Sequence, residues 1–298
     1  MIAGPKISII GPGKVGTALG ALAARAGWRV VAVAGGSPGR AQGAAEAIGG
    51  DVRVCTPAEA AAAGQLVLLT VPDDAVAAVC EELAAAGAFA RGAVVAHCCG
   101  AWDREILAPA RARCGCAVGS MHPLQTFPTV EAAMARLAGA YCFCEGDEEA
   151  AGVLERLAEA VGARAVRIDP GGKALYHAAA VMACNYLVAL LDAASAVAAS
   201  AGVDGPTWMA AVEPIVRATV DNAMALGPPG ALTGPIARGD AATIRRHGEA
   251  MSRTDEPLRA VYAALGRYTV TLARRQGTLD GSAAAAVMDA LDRFGTRD

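Results

Sequence analysis

Two ionisable side chains open the longest apolar segment of this sequence. Lys173 and His177 are four residues apart, so on a helix they lie on one face. Residues 178–191 follow and are almost all apolar, which is typical of a helix buried in a domain or in a dimer interface. Burial shifts the pKa values of lysine and histidine, and such a pair can transfer a proton. The alternative is a solvated Lys–His pair, but a solvated pair rarely precedes so apolar a helix.

Two of the four histidines directly follow predicted strands. Residues 93–96 end at His97, and residues 117–121, which include Ser120, end at His122. Ligands of open α/β sheets bind outside the carboxyl ends of the strands. A lone histidine is more often structural, but this position favours His122 as a catalytic residue and His97 as part of the cofactor site.

A glycine-rich turn near the start of the chain has the spacing of a dinucleotide-binding loop. Gly11, Gly13 and Gly16 fit G-x-G-x-x-G between an apolar run at 7–10 and a predicted helix at 15–26. Such glycines allow a tight turn, close approach of a pyrophosphate and close packing of helix on strand. A glycine-rich turn without a ligand is the alternative. The residues predicted to contact the dinucleotide here are Gly11, Gly13, Lys14, Val15 and Gly16.

The second predicted strand, at 29–34, favours NADP over NAD. NAD-binding domains carry an acidic residue near the end of this strand for the ribose 2′-hydroxyl. The first acidic residue of this chain is Glu46, whereas Ser37 and Arg40 follow the strand directly and can bind a 2′-phosphate. A polar turn before a helix would explain Ser37 but not the missing carboxylate. By their position after the strand at 65–71, Thr70, Val71 and Pro72 are predicted to line the same crevice.

Composition excludes several classes of protein. The chain has 298 residues and a net charge of −3, which argues against nucleic acid as the main partner. Its nine cysteines are an odd number and do not suggest a disulfide framework. Strand alternation would place Cys114 and Cys116, and likewise Cys142 and Cys144, on one buried face, so we predict no metal site.

Location is predicted from the absence of targeting signals. The first strand begins almost at the first residue, and no basic leader or cleavage site precedes it. The apolar segment at 178–191 is too short for a bilayer on this count. We therefore expect a soluble, cytoplasmic protein that does not enter a membrane.

Secondary-structure patterns divide the chain into an α/β part and an all-α part. Strand and helix patterns alternate up to residue 168, and Asp169-Pro170-Gly171-Gly172 marks the boundary. The fold class predicted is therefore a doubly wound, mainly parallel Rossmann-like sheet at 1–168, followed by a helical domain at 169–298. Helices are predicted at 173–201, 207–225, 240–247, 256–275 and 281–292.

Several of these segments together resemble a poorly characterised family of Rossmann-like proteins with a C-terminal helical domain of unknown function. The resemblance covers almost the whole chain. The segments that carry it are Gly-Pro-Gly-Lys-Val-Gly16, Thr-Val-Pro-Asp73, His-Cys-Cys-Gly100, His-Pro-Leu-Gln-Thr-Phe127, Lys-Ala-Leu-Tyr-His177 and Leu-Thr-Gly-Pro-Ile-Ala-Arg-Gly-Asp240.

More distantly, the layout is similar to the superfamily of 6-phosphogluconate, 3-hydroxyisobutyrate and prephenate dehydrogenases and of ketopantoate and pyrroline-5-carboxylate reductases. These enzymes use NAD(P) in the first domain and a helical, usually dimer-forming second domain, which implies a homodimer here. Lys173 is similar to the catalytic lysine of the hydroxyacid and ketopantoate enzymes, and Gly119–Pro123 to the Gly-His-Pro segment of prephenate dehydrogenases. His177 stands where several relatives carry asparagine, and Cys99 where serine is expected. These departures argue against prephenate as the substrate.

The sequence therefore predicts an NADP-dependent oxidoreductase that moves a hydride between nicotinamide and a small carbonyl, imine or hydroxyacid. Lys173 or His122 would donate the proton, and His177 would tune Lys173. Ser120, Asn185 and Arg238 are predicted to bind the substrate, although Asn185 lies roughly 120° round the helix from Lys173 at about 100° per residue. Two alternatives remain: an NADP-binding sensor without catalysis, and a deazaflavin-dependent NADP oxidoreductase.

Overall fold

A computed structural model describes residues 4–169 and 171–294 of the chain. Within these residues, eight strands form one sheet in the order β3-β2-β1-β4-β5-β6-β7-β8. The strands are β1 (Ile7–Ile10), β2 (Val30–Ala34), β3 (Arg53–Cys55), β4 (Leu66–Leu69), β5 (Val94–His97), β6 (Ala117–Pro123), β7 (Tyr141–Gly146) and β8 (Arg164–Arg167). Neighbouring strands are parallel except β6 and β7, which are antiparallel. The order from β3 to β6 is that of a doubly wound dinucleotide-binding sheet, which confirms the predicted fold class.

Twelve α-helices accompany the sheet in the described part of the chain. They are α1 (Lys14–Arg25), α2 (Pro38–Ile48), α3 (Pro57–Ala63), α4 (Val76–Ala85), α5 (Ala108–Cys114), α6 (Val130–Leu137), α7 (Glu148–Ala160), α8 (Lys173–Ser200), α9 (Gly205–Ala231), α10 (Ala241–Met251), α11 (Glu256–Gln276) and α12 (Gly281–Asp292). Their order confirms the predicted change from an α/β pattern to helices alone.

The inner strands are apolar on both faces because helices cover both sides of the sheet. Ile9 and Leu68 belong to the core on one face, and Ile10, Leu69 and Val95 to the core on the other. Such strands appear in the sequence as short continuous apolar runs rather than as an alternating pattern. The runs therefore fix where the strands lie but not which neighbour each strand pairs with.

The two cysteine pairs differ in structure. Cys142 and Cys144 lie on β7 and are fully buried on one face, as predicted. Cys114 instead ends α5, and Gly115 follows it in the left-handed conformation at φ 68°. Strand alternation is therefore wrong for Cys114 and Cys116, because the glycine ends a helix between them. Among the described residues, no group of three or more metal-binding side chains is found.

The chain divides into two compact units, between Ala183 and Cys184. The predicted boundary is at 168/169. In the structure the first eleven residues of α8 belong to the unit that contains the sheet, and not to the unit of the other C-terminal helices. Two contacts hold this part of α8 to the sheet. Lys173 Nζ donates a hydrogen bond to Ser120 of β6, and the ring of Tyr176 packs on Phe143 of β7 with centroids 4.1 Å apart.

The second unit contains the rest of α8 and α9 to α12. Its core includes Ile244, Val287 and Leu291 from α10 and α12. Gly227 has a non-helical φ of 73° and interrupts α9, close to the predicted helix end at residue 225. Asp240 caps α10, since its side chain accepts a hydrogen bond from the backbone N–H of Thr243 at 3.0 Å.

Helix α8 agrees with the predicted helix at 173–201 and is longer than the apolar run at 178–191 on which the membrane prediction rested. Its 28 residues include an 18-residue window with a mean hydropathy of 1.7, which is sufficient by length and composition for a membrane span. The expectation that this segment is too short to cross a bilayer is therefore corrected. One helix of this kind is weak evidence for a membrane, because core helices of water-soluble proteins have the same length and composition.

Candidate active site

The glycine loop borders a large cavity at the carboxyl edge of the sheet. The cavity has a volume of about 940 Å3 and lies in the first unit. Its lining includes the predicted cofactor residues Gly11, Gly13, Lys14, Val15, Arg40, Thr70, Val71 and Pro72. The turn after β1, the end of β4 and the start of α2 thus meet around one space, at the position where the strand order reverses.

The backbone of the glycine loop is shaped to accept a ligand. Gly11 has φ 89°, and a Cβ there would lie 2.5 Å from the backbone nitrogen of Val71. Thr70 Oγ1 donates a 2.7 Å hydrogen bond to the Gly11 carbonyl, which ties the loop to β4. A Cβ on Gly16 would collide with Thr70 Oγ1, so this glycine permits the close packing of α1 on the sheet. Gly13 caps α1, and a Cβ there would meet only the Gly11 carbonyl oxygen at 4.0 Å, so the first N–H groups of the helix can bind an anion.

Ser37 and Arg40 lie at the start of α2. Ser37 occupies the N-cap position, but its hydroxyl makes no capping hydrogen bond and stays available to another acceptor or donor. Arg40 is exposed and borders the cavity, and no carboxylate of the described residues pairs with it. Ser37 is not part of the cavity lining itself. An arginine and a free hydroxyl fit a phosphate monoester.

Helix α6 forms a wall of this cavity that sequence reasoning missed. Phe127, Val130 and Glu131 line the cavity from this side. Thr129 caps the helix, since its hydroxyl accepts a 3.1 Å hydrogen bond from the N–H of Ala132. The cap could have been recognised as threonine before a helical pattern, but its place against the glycine loop depends on tertiary packing.

A buried polar cluster is centred on Ser120 of β6, which is paired with His97 at the carboxyl end of β5. Lys173 Nζ donates a hydrogen bond to Ser120 Oγ, and Ser120 Oγ donates one to Glu145 Oε1 at 2.5 Å. All three side chains are at most 1% exposed. Ser120 is paired with Glu145 of β7 across the antiparallel ladder, which places their side chains on one face of the sheet. Ser120 and Lys173, which were predicted separately as a substrate-binding and a catalytic residue, are thus brought together with a carboxylate that the sequence had not indicated.

A second cluster contains His122, Tyr176 and His177, all half-buried. His122 Nδ1 and the hydroxyl of Tyr176 are 2.9 Å apart, and the two histidine rings meet edge to face with centroids 5.7 Å apart. Gly100 packs against both rings: a Cβ there would lie 2.7 Å from His177 Nε2 and 3.1 Å from His122 Nε2. The predicted catalytic histidines therefore converge on the loop that follows β5.

Burial sets the protonation of these groups. It lowers the pKa of Lys173, and the carboxylate of Glu145 opposes this shift. Burial, together with the charges of Lys173 and His177, lowers the pKa of His122 to about 4. The imidazole of His122 is therefore neutral near pH 7 and carries one N–H.

His97 has a structural environment. It is fully buried at the end of β5, and burial lowers its pKa to about 4. Its Nδ1 accepts a 3.1 Å hydrogen bond from the N–H of Cys99, and its Nε2 lies 3.1 Å from the carbonyl oxygen of Asp103. Both ring nitrogens are engaged with the loop, and His97 does not line the cavity. This geometry does not support direct contact with a cofactor.

The remaining predicted substrate residues belong to the second unit. Asn185 is exposed on α8, and Arg238 is exposed in the loop before α10. Their predicted roles stay predictions.

Sequence reasoning missed two residues of the clusters. Glu145 follows the apolar run Tyr141-Cys-Phe-Cys144 near the end of a strand. An acidic residue directly after a buried apolar run could have indicated a buried polar site. Tyr176 adjoins His177, but its partner His122 is 54 residues away in the chain. Only the register of β6 and β7 and the docking of α8 bring these residues together.

The sheet order and the glycine loop define the first unit as a Rossmann-like domain. Family models agree, since residues 2–123 match a Rossmann-like domain and residues 140–269 match the domain of unknown function DUF2520. The chain thus pairs a Rossmann-like domain with a DUF2520 domain, and the predicted family is confirmed.

Solved structures share this fold. A protein from Thermotoga maritima is 22% identical over 91% of this chain and 99% of its own, with a TM-score of 0.73. A candidate NADP oxidoreductase from Bacteroides fragilis is also 22% identical, over 92% of this chain and 98% of its own, with a TM-score of 0.64. A reductive aminase from Aspergillus terreus, in complex with NADPH and ethyl-5-oxohexanoate, is 17% identical over 98% and 93%, with a TM-score of 0.58. No curated protein sequence matches the chain.

Proposed function

We propose that the protein is an NADP-dependent oxidoreductase that acts on a small carbonyl, imine or hydroxyacid. One observation carries this proposal: a dinucleotide-sized cavity and two clusters of proton-bearing side chains lie at the carboxyl ends of strands in one sheet. The described fold is shared with solved structures of a candidate NADP oxidoreductase and of a reductive aminase bound to NADPH. A pure nucleotide sensor would not require a buried lysine beside paired histidines.

The residues of the cavity fit a dinucleotide. The open backbone at Gly13 and the N-terminus of α1 would hold the pyrophosphate, and Lys14 would add a positive charge. Thr70, Val71 and Pro72 would form the wall next to the nicotinamide half. When bound, NADP(H) supplies or accepts the hydride, and the protein must position the substrate and manage one proton.

The preference for NADP over NAD would depend on Arg40. Replacement by alanine removes the cation that pairs with the 2′-phosphate, a charged hydrogen bond of about 1.5–3 kcal/mol. Arg40→Ala should therefore weaken NADPH binding by about 10- to 100-fold and leave NADH binding unchanged, as measured by fluorescence titration. Arg91→Ala, at an exposed arginine outside the cavity, is the matched control. Equal losses for both nucleotides would contradict a 2′-phosphate contact.

Proton transfer would use Lys173 or His122. Lys173 is a buried amine whose pKa is lowered by burial, whereas His122 is neutral and presents an N–H donor that can polarise a carbonyl or imine. The two variants Lys173→Met and His122→Phe distinguish the two candidate donors. Turnover and NADPH affinity are measured for each, and the affinity should stay unchanged in both. The variant that abolishes turnover identifies the donor. Ser120, His177, Asn185 and Arg238 would orient the substrate or tune the donor.

The protein would act as a soluble, cytoplasmic homodimer. The second unit exposes many large apolar side chains on α8 and α9, among them Tyr186, Val188, Ile215 and Met224. A second copy of the chain would cover them. No nucleic acid partner is expected from the net charge of −3.

The test begins with a binding titration of NADPH against NADH. NADPH oxidation is then followed with keto acids, aldehydes and preformed imines, at pH 6 to 9. Tight NADPH binding with turnover of one substrate class supports the enzyme. Binding without turnover favours the sensor, turnover only with a deazaflavin favours that alternative, and failure to bind either nucleotide contradicts the proposal.

A further inference from the structure

Glu145 is the one member of the buried cluster to which neither sequence reasoning nor the proposed reaction gives a role. Its side chain is 1% exposed, and its Oε1 accepts the 2.5 Å hydrogen bond from Ser120 Oγ. Its other oxygen, Oε2, is buried and has no hydrogen-bond partner among the described residues. Burying a carboxylate with an unpaired oxygen costs free energy. We therefore looked for a charge near Glu145 that offsets this cost.

The compensating charge is the ammonium of Lys173. Ser120 Oγ has one proton, and the geometry directs it towards Glu145, which leaves the oxygen lone pairs to accept from Lys173. The hydrogen bonds therefore run in one direction, from ammonium to hydroxyl to carboxylate. This order of donors matches a charged lysine and a charged glutamate, which form a buried ion pair bridged by a serine.

Other groups near Lys173 do not supply this compensation. Burial disfavours the ammonium, and the neighbouring histidines, His97 and His122, would disfavour it further if they were charged. The thiols of Cys98, Cys99 and Cys144 also act on Lys173, but burial raises the pKa of each, so they stay neutral near pH 7. The groups that face Lys173 are thus Ser120 and His122 on β6, Glu145 and Cys144 on β7, His97 on β5, and Cys98 and Cys99 after it.

We infer that Glu145 is a positioning residue that, through Ser120, holds Lys173 in place as an ammonium ion. The importance of this role for catalysis rests on the proposed function, in which a charged Lys173 donates the proton or acts as a fixed positive charge near His122. The charge relationship itself does not depend on any substrate. It can therefore be tested on the protein without turnover.

The chain contains only three lysines, Lys6, Lys14 and Lys173, so lysine NMR can observe Lys173 directly. The full-length protein is labelled with 13C at lysine Cε, and Lys6→Arg and Lys14→Arg variants assign the three signals. The signal of Lys173 is then followed from pH 6 to 11 in the wild type and in Glu145→Gln. We expect the titration midpoint of Lys173 to fall by about one pH unit or more in Glu145→Gln, because the opposing charge is lost.

Glu149→Gln is the matched control, since Glu149 is an exposed carboxylate in the first turn of α7. It should leave the midpoint of Lys173 unchanged. Ser120→Ala is a second variant in case Glu145→Gln does not fold, and it should also lower the midpoint because it removes the bridging hydroxyl. An unchanged midpoint in the folded variants overturns the inference.

Activity gives an independent reading once a substrate is known. The basic limb of the kcat profile should move to lower pH in Glu145→Gln by the same amount as the NMR midpoint. A structural role alone would lower kcat at all pH values and leave the limb in place. If no substrate is found, the NMR result still decides the role of Glu145, so failure of the proposed function and failure of this inference are distinguishable.

Discussion

At the scale of the residue, the chemistry of the candidate site depends on what surrounds each titratable group. Lys173 lies almost fully buried beside a serine and a glutamate, whereas Lys6 and Lys14 are exposed. The same side chain type is therefore a solvated charge at two positions and a buried, paired charge at the third. His122 is held neutral chiefly by burial, so it is suited to donate a hydrogen bond from a neutral ring.

Tyr176 would fix the orientation and tautomer of His122. If the phenol donates to Nδ1, the proton of the neutral ring resides on Nε2, which faces Gly100 and His177. Tyr176→Phe removes this hydrogen bond, and we expect kcat for NADPH oxidation to fall about five- to tenfold, which corresponds to roughly 1 kcal/mol. The affinity for NADPH should not change, since Tyr176 does not line the cavity.

The second unit offers a matched control for this substitution. His247 Nδ1 and the hydroxyl of Tyr262 form an equivalent pair at 2.7 Å, with the rings edge to face. Tyr262→Phe should change thermal stability by a similar small amount and leave kcat unaffected. A loss of activity in both variants would show that stability, and not the tautomer of His122, explains the effect.

At the scale of the element, short helices and strand ends determine the shape of the cofactor cavity. Helix α6 begins beside the glycine loop, and its first residues contribute to the cavity wall. Thr129 keeps this first turn helical by capping the N–H of Ala132. Thr56 does the same for α3, where it forms a full capping box with Glu59.

The two caps give a test of the role of α6. Loss of a threonine cap costs about 1 kcal/mol of unfolding free energy, so Thr129→Ala and Thr56→Ala should both lower stability by about this amount. Only Thr129→Ala should weaken NADPH binding, by at most about fivefold, because α6 lines the cavity and α3 does not. Chemical denaturation and nucleotide titration measure the two effects. Equal affinity in both variants would exclude α6 from the binding surface.

At the scale of the whole molecule, the two compact units differ in how their apolar residues are covered. The sheet of the first unit has cores on both faces, whereas α9 has no fully buried residue and exposes Ile215 and Met224 by 65% and 82%. Exposed apolar patches of this extent mark an interaction surface. Two occupants are compatible with such a surface on helices: a second copy of the chain or a lipid bilayer.

We predict that the protein sediments as a dimer with twice the 29.8 kDa mass of one chain. Ile215→Glu combined with Met224→Glu should convert it to monomer or to insoluble protein, since a buried unpaired charge opposes association. Arg275→Glu, at an exposed polar position of α11, is the control and should stay dimeric. A monomeric wild type that floats with phospholipid vesicles would contradict the dimer and favour a membrane for α8.

Sequence alone determined the local features of this protein. Neighbouring residues determine the glycine spacing, the apolar runs of β1 and β4 and the cap at Asp240, because turns, strands and helix ends depend on local backbone energetics. The same holds for the spacing that puts Lys173 and His177 one turn apart on α8, although the structure places them in different clusters. Register is different, because it depends on which strands meet. The antiparallel pairing of β6 with β7 placed Glu145 beside Ser120, and the docking of α8 brought Lys173 and Tyr176 to them. Tertiary structure therefore decided which charges are buried together, and burial is what shifts their protonation.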